Sequence, residues 1–282
     1  QIRREAENET LAGLTDKDLV AIAGDLEALA ASRKRDERIT RIRDGRGAGD
    51  RSLERCVLET VGPDMPFLVD SLLNACAVHG LAVSAMFHPL LSGDNGRTSV
   101  IQIHLPMIAE ADRDALLIEV DAALADVRAA VDDYAAMRAL MRGEIDTLKA
   151  QTHLDAGNRD EAVAFLEWLA QEHFVFLGAR RYAFETDASG AFLPEEPEMV
   201  DGSNLGILRN EALNVLNRGA EPPLLTPEIG AFLQQPAPLI IAKSTLISRV
   251  HRRAYADYIG IKQYDSDGNV SGEVRRAGLF TA

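Results

Sequence analysis

The sequence predicts an α+β fold in two successive parts. The first is a β-α-β-β-α unit with a long amphipathic helix, and the second is a mainly antiparallel sheet. Three observations carry that prediction. Residues 55 to 105 alternate β-branched runs with one helical segment. Residues 111 to 151 place apolar side chains at steps of three and four. Residues 238 to 282 hold three period-two runs separated by turn residues.

The elements follow in chain order. "TDKDLVAIAGDLEALAAS" (15–32) reads as a helix, with Thr15 as N-cap, Asp18 three residues on, and Leu19, Ile22, Leu26 and Leu29 on one face. "ITRIRDGRGAGD" gives a short strand and a Gly-rich loop, with a domain boundary near residue 48. "RCVLETV" (55–61) is a strand, Pro66 to His79 a helix, and "LAVSAMFHPLL" (81–91) a second strand. "SGDNGR" is a hairpin turn, because Asn95-Gly96 tolerates positive φ. In "TSVIQIHL" (98–105), Ile101, Ile103 and Leu105 face one way and Val100, Gln102 and His104 the other.

The following helix carries a stripe at Leu117, Val120, Leu124, Val127, Val131, Tyr134, Met141, Ile145 and Leu148. Unbroken, it would span about 60 Å at about 1.5 Å per residue, so its far end packs on another domain or subunit, or it breaks near Gly143. "RDEAVAFLEWLAQEH" (159–173) is a further amphipathic helix and "FVFLGARRYAFE" (174–185) a strand. Residues 186 to 236 are irregular, with short helical pieces such as "NEALNVLN". Strands at 238–250, 254–265 and 273–282 close the chain, the last two joined by the turn "DSDGN" (265–269). The reading divides the chain into a helical and linker segment (1–48), the β-α-β-β-α domain with its long helix (49–151), a helical linker (152–173) and the antiparallel sheet domain (174–282).

The net charge of −14 disfavours nucleic acid and anionic membrane as partners. No apolar run reaches about 20 residues, and "QIRREAENE" is not a signal peptide. Cys56 and Cys76 lie in apolar segments, as buried free thiols of a cytoplasmic protein do. A start without Met and an end inside the strand-like "AGLFTA" suggest a piece of a longer polypeptide.

Dinucleotide, P-loop, serine-hydrolase, HExxH and CxxC motifs are absent. "DGRGAG" (44–49) reads as a flexible linker rather than a phosphate loop, since no robust strand precedes it. His88 and His104 could face each other on adjacent strands, but no third metal ligand accompanies them. "DSDGN" lacks the closing glutamate of a calcium loop, because the twelfth position is Arg276. The reading therefore assigns no catalytic, cofactor or metal residue.

Two constellations remain. In "VGPDMPFLVDSLLNACAVHG" (61–80), Asp64 can cap the first turn, Pro66 suits it, and Gly80 stops the helix. Asp70, Ser71 and Asn74 share a polar face. Capping and amphipathicity account for these residues, or the helix opening forms an effector or subunit-contact site. In "KSTLISRVHRRAYADY" (243–258), Arg249, His251 and Arg253 alternate on one strand face, with Arg252 on the other. This is an exposed strand, or a contact to an acidic surface or carboxylate.

The stretches "PDMPFLVDSLLNACAVHGLAVSAMFHPLL", "FLEWLAQEHFVFLGARRY", "LGILR" and "KSTLISRVHRRAYADYIGIKQYDSDGNVSGEVRRAGLFTA" occur in that order from about residue 50 to 282. Together they resemble the N-terminal part of the large-type bacterial NAD-specific glutamate dehydrogenases. The resemblance implies an ACT-like domain followed by a PAS-like antiparallel domain, both regulatory. NAD and the catalytic residues would belong to a C-terminal catalytic region, the segment's partner, within a homo-oligomer. The fourth ACT strand is missing in order, and "ITRIR" (39–43) is a candidate for its edge. Phe67 stands where amino-acid-binding ACT domains open their first helix on glycine. This weighs against an amino-acid effector and towards capping or subunit contact by Asp64, Phe67, Asp70, Ser71 and Asn74. An amino-acid sensor module and a pure oligomerisation scaffold remain the alternatives.

Overall fold

In the computed structural model, residues 13–34, 36–93, 96–187, 191–193, 197–215, 225 and 227–281 are described. The chain divides into two units. Residues 1–127 with 249–252 form the first, and residues 128–248 with 253–282 the second. Asn95 of the expected hairpin turn and the end of "NEALNVLN" lie outside the described residues.

The first unit opens with α1 (Asp16–Ser32), started by the expected capping box. Thr15 Oγ1 accepts from Asp18 N at 3.2 Å, and Asp18 Oδ2 accepts from Thr15 N at 2.8 Å. The Asp18 carboxylate also accepts from Ala48 N and from Arg51. The Thr15 amide first, and these partners after it, hold its carboxyl well below the usual range. A Cβ at Gly47 would strike Asp18. The stretch read as a flexible linker is therefore the end of β1 (Ile39–Arg46) and a turn folded on Asp18.

The remaining strands are β2 (Ser52–Pro63), β3 (Ala85–Phe87), β4 (Leu90–Gly93) and β5 (Gly96–Leu105). The order is β1-β2-β5-β3, all antiparallel, with β4 also on β5. The single strand expected over 81–91 is split in two at His88-Pro89. β1 occupies the edge beside β2, the place suggested for "ITRIR".

The α1 stripe Leu19, Ile22, Leu26 and Leu29 packs on Val61, Ala85, Phe87 and Val100. The same sheet face carries a buried polar row. Gln102 donates to Glu59, Gln102 Oε1 lies 2.8 Å from His104 Nε2, and Arg41 and Arg43 bracket Glu59. Burial would raise the Glu59 carboxyl, but Arg43, Gln102 and Arg41 outweigh it and hold it below its ordinary value. His88 bonds to Ser99 Oγ, so the two histidines do not face each other. Cys56 and Cys76 are buried free thiols, and burial pushes Cys76 up to about 11.

Helix α2 (Leu68–Val78) follows β2, and α3 (Glu110–Asp132) follows β5. The long helix does not break at Gly143. It breaks at Asp133, before α4 (Tyr134–Ala150). The Asp133 carboxylate accepts from Gly206 N at 2.7 Å and from Arg209. Its stripe also runs differently from the expected one: Leu116 and Met137 are buried, whereas Tyr134 is exposed.

The second unit contains α4, α5 (Ala156–Trp168) and β6 (Phe174–Ala183). It continues through β7 (Glu198–Met199), β8 (Leu205–Gly206) and α6 (Pro227–Leu233) to β9 (Leu239–Ile247), β10 (Tyr255–Tyr264) and β11 (Val270–Phe280). The antiparallel order is β7-β6-β11-β10-β9, with β8 also on β6, the sheet domain expected for this half. Met137, Met141, Ile145 and Leu148 of α4 and Val163 and Leu166 of α5 pack on Phe174, Phe176, Ile259, Ile261 and Val274. A buried ion pair, Glu144 with Arg276 at 2.5 Å, joins α4 to β11. Burial raises the Glu144 carboxyl, and Arg276 opposes the shift. On the other sheet face, Arg180 donates to Asn204, Tyr182, Leu208 O, Asn210 O and Leu213 O. All these partners are uncharged, so the guanidinium holds the 204–213 connection by hydrogen bonds alone. A Cβ at Gly206 would strike Leu177 O, which explains the glycine in "LGILR".

His104 supplies a pH test. Burial first, then nearby Arg55, holds its imidazole neutral and pushes its pKa down to about 4. An unfolded histidine titrates near about 6.5, so on acidification the unfolded chain binds the proton first. Stability is expected to fall from about pH 6.5 down to about pH 4 and then level off, by up to about 3 kcal/mol from this group. His104→Gln removes this titration. Urea unfolding across that range should show a flatter acid limb for the variant; parallel limbs would refute the assignment.

Candidate functional site

Both candidate constellations meet in the first unit, where α2 faces residues 249–252. The segment "KSTLISRV" does not continue as a strand through Val250, as expected from sequence. β9 ends at Ile247, Ser248 N bonds Ala254 O at 2.9 Å, and His251 has φ 63°. Arg249, His251 and Arg253 therefore do not alternate on a strand face. Arg252 N donates to Val250 O at 2.8 Å in a tight turn, and Arg253 belongs to the second unit, just before β10.

The opening of α2 also departs from the expected cap. Asp64 is drawn to β5: its N–H donates to Arg97 O at 3.1 Å, and its carboxylate lies 3.3 Å from Arg97 Nε. It does not cap the helix. The N-cap position is Phe67, in the left-handed region at φ 69° and ψ 0°, with no side-chain cap bond. Its carbonyl accepts from Ser71 N at 3.1 Å, the first helical bond. Asp70 sits in the first turn, where a negative charge favours the helix dipole.

Three α2 side chains and the Phe67 ring at its N-cap hold one residue. Ser71 Oγ accepts from His251 N at 3.1 Å. Asn74 Nδ2 donates to His251 O at 2.8 Å. Asp70 Oδ2 lies 2.8 Å from His251 Nδ1, whose N–H donates to it. The Phe67 ring stands 5.3 Å from the imidazole, tilted by 48°. The main-chain donor, the main-chain acceptor and the side chain of His251 are thus all recognised. Ser71 is fully buried, but the side chains of Asp70 and His251 are 50% and 38% exposed, so solvent reaches the clasp.

Magnitudes show how tightly the clasp is held. A half-exposed hydrogen bond contributes about 0.5–1.5 kcal/mol net. A left-handed residue bearing a Cβ costs roughly 1–2 kcal/mol, and both Phe67 and His251 are in that state. Three hydrogen bonds and two strained residues roughly cancel, so the local contacts alone hold the clasp weakly.

Arg249 anchors the segment two residues earlier. Its Nε lies 3.5 Å from Glu119 and its NH1 3.4 Å from Asp126, both on α3. Burial raises the Asp126 carboxyl, and Arg249 pulls it back. Sequence reasoning missed Glu119 and Asp126, although their seven-residue spacing puts them on one helix face. Nothing in the sequence pointed to Arg97. Among the described residues, no group of three or more His, Cys, Asp or Glu could hold a metal ion, and no helix is long and apolar enough to cross a membrane.

Comparison with known proteins follows from this geometry. A family profile described as "Glutamate dehydrogenase, ACT1 domain" matches residues 1–160. The NAD-specific glutamate dehydrogenase of Halomonas elongata is 34% identical over 245 residues, covering 78% of this chain and 15% of the relative. That of Pseudomonas aeruginosa is 32% identical over 248 residues, covering 80% and 15%. The chain thus spans a small part of the relatives it matches. A solved RNA-binding light-oxygen-voltage receptor aligns at 12% identity over 96% of this chain and 84% of its own, with a TM-score of 0.20, too low to support any argument.

The backbone at residue 67 yields a direct test. Phe67→Ala keeps the strained conformation and loses the ring contact. Phe67→Gly loses the same contact but relieves the strain. The glycine variant should be about 1 kcal/mol more stable than the alanine variant. Urea unfolding of the two variants decides it, and the reverse order would refute the left-handed N-cap.

Proposed function

This chain belongs to the glutamate dehydrogenase ACT1 domain family, and on that premise we propose that it is a non-catalytic regulatory and assembly segment of a larger NAD-dependent glutamate dehydrogenase. The whole enzyme would oxidise L-glutamate with NAD and water to 2-oxoglutarate, ammonium and NADH. The observation that carries this reading is the match of 78% of the chain to 15% of an NAD-specific glutamate dehydrogenase at 34% identity.

The residues present do not fit NAD. Dinucleotide sites use a parallel βαβ crossover whose helix opens on glycines. Every strand pairing among the described residues is antiparallel, and α2 opens on Phe67 with the Asp70 carboxylate in its first turn. The cofactor therefore belongs in this reading to the rest of the enzyme, and no chemical step is assigned to this chain. Its partners would be the enzyme's own catalytic region and a second copy of itself, in the cytoplasm.

Between sensing a free amino acid and pure scaffolding, one observation favours the scaffold. The polar face of α2 already holds His251, and Phe67 lines that contact. A signal passing from such a segment to the active site is typically worth about 1–3 kcal/mol, roughly a 5- to 150-fold change in apparent affinity.

The full-length enzyme and a version lacking this segment provide the test. The isolated chain should reduce no NAD with glutamate. The shortened enzyme should differ in its glutamate dependence or in its number of subunits, read by light scattering. If rate, glutamate dependence and number of subunits are all unchanged on removal, the regulatory and assembly reading is wrong.

A further inference from the structure

We propose that His251 is a built-in occupant of a residue-binding site on α2, which stays closed to free amino acids until the segment 249–252 lifts away. The inference rests on the reading of the chain as a regulatory and assembly segment, and it adds how the α2 surface is closed.

The contacts describe recognition of one amino-acid residue rather than general packing. Ser71 Oγ takes the main-chain N–H, Asn74 Nδ2 gives to the main-chain carbonyl, and Asp70 takes the imidazole N–H beside the Phe67 ring. A free histidine presents the same groups. Its ammonium can donate to Ser71, its carboxylate can accept from Asn74, and its ring can pair with Asp70. The site therefore fits a free amino acid with an imidazole side chain, and the chain supplies that residue itself.

Three features make the occupancy reversible. His251 and Phe67 are both held at positive φ, so closure works against backbone strain. The Asp70–His251 pair is substantially exposed, so a competitor can reach it. The Arg249 anchor is loose, with ion pairs of 3.4 and 3.5 Å and an Nε that makes no hydrogen bond. The charged and titratable groups facing the segment from the packed elements are Asp70 on α2 and Glu119 and Asp126 on α3.

His251→Gly vacates the imidazole position beside Asp70 and Phe67, keeps the main-chain contacts to Ser71 and Asn74, and suits the positive φ at that position. The variant chain should melt below the native chain. Free imidazole should raise its melting temperature saturably, and L-histidine less strongly, because its ammonium and carboxylate reach Ser71 and Asn74 only when the segment lifts. The native chain should respond to neither ligand over the same range. Adding Asp70→Asn to the variant should abolish the rescue, which a merely structural loss would not do. Amide exchange at residues 249–252 should accelerate about tenfold or more in Ser71→Ala/Asn74→Ala, a variant that keeps His251. A flat response of His251→Gly to both ligands would overturn the proposal. So would an equal response from the native chain, or unchanged exchange in the double variant. These measurements read binding and opening in the chain itself, so their failure would leave the glutamate dehydrogenase reading standing.

Discussion

The first unit depends on how one sheet edge is filled. After β5 the chain runs into α3 and then α4, and among the described residues no later strand joins that sheet. An open edge beside β2 would leave a row of unpaired N–H and C=O groups, a template for misassembly. β1, which precedes β2, fills that edge with an antiparallel ladder from Ile39↔Val61 to Asp44↔Cys56. Because the edge strand comes from the N-terminal side, α1 must precede it and lie across the sheet face that includes Val61 and Val100. Glu59, Gln102 and His104 lie fully buried on that same face. The polar row is therefore possible only with the charges supplied by Arg41 and Arg43, both on β1. One strand thus closes the edge and neutralises the carboxylate beside it. The turn that leaves it, at Gly47, closes on the Asp18 cap.

In the second unit the same requirement is met with buried cations. Arg180 is stabilised by five neutral acceptors, and Arg276 by Glu144 with Met137 O. The Arg276–Glu144 pair leaves Arg276 Nε and Glu144 Oε1 without hydrogen bonds, and removing one partner of such a buried pair is far more damaging than never having the pair. These residues fix how the 204–213 connection and α4 lie on the sheet. The break at Asp133 belongs to the same scheme, because its carboxylate draws on Gly206 N and Arg209 rather than on its own helix.

What the sequence made legible follows from the range of the forces involved. The capping box at Thr15 and Asp18, the α1 stripe and the two faces of the 98–105 strand are set within a few residues, and all were readable. The fate of "ITRIR" was readable only as a candidate, because pairing with β2 is decided by what else competes for that edge. The sequence pattern carries a strand face through Arg249, His251 and Arg253, whereas the bond from Ser248 N to Ala254 O, the tight turn at Arg252 and the positive φ at His251 make the segment a loop. Asp64 looked like a helix cap because caps are assigned by spacing, while Arg97, distant in sequence, takes its carboxylate. The two candidate clusters are separated by about 180 positions, and no local pattern could show that one is the other's partner.

Phe67 is where the sequence and structure readings differ most in meaning. From sequence it is a bulky side chain at a place suited to glycine, and it reads as a plug. Its backbone nevertheless takes the glycine-like left-handed conformation, so the opening of α2 keeps the same path. The ring does not fill the space in front of the helix; it stands against the imidazole of His251. A residue that merely blocked the opening would need no partner there. Asp70, Ser71 and Asn74 would then face water, and no strained residue from a distant loop would be drawn into their hydrogen bonds. The side chain therefore closes the surface by helping to hold an occupant, and closure by an occupant, unlike closure by a plug, can be competed away.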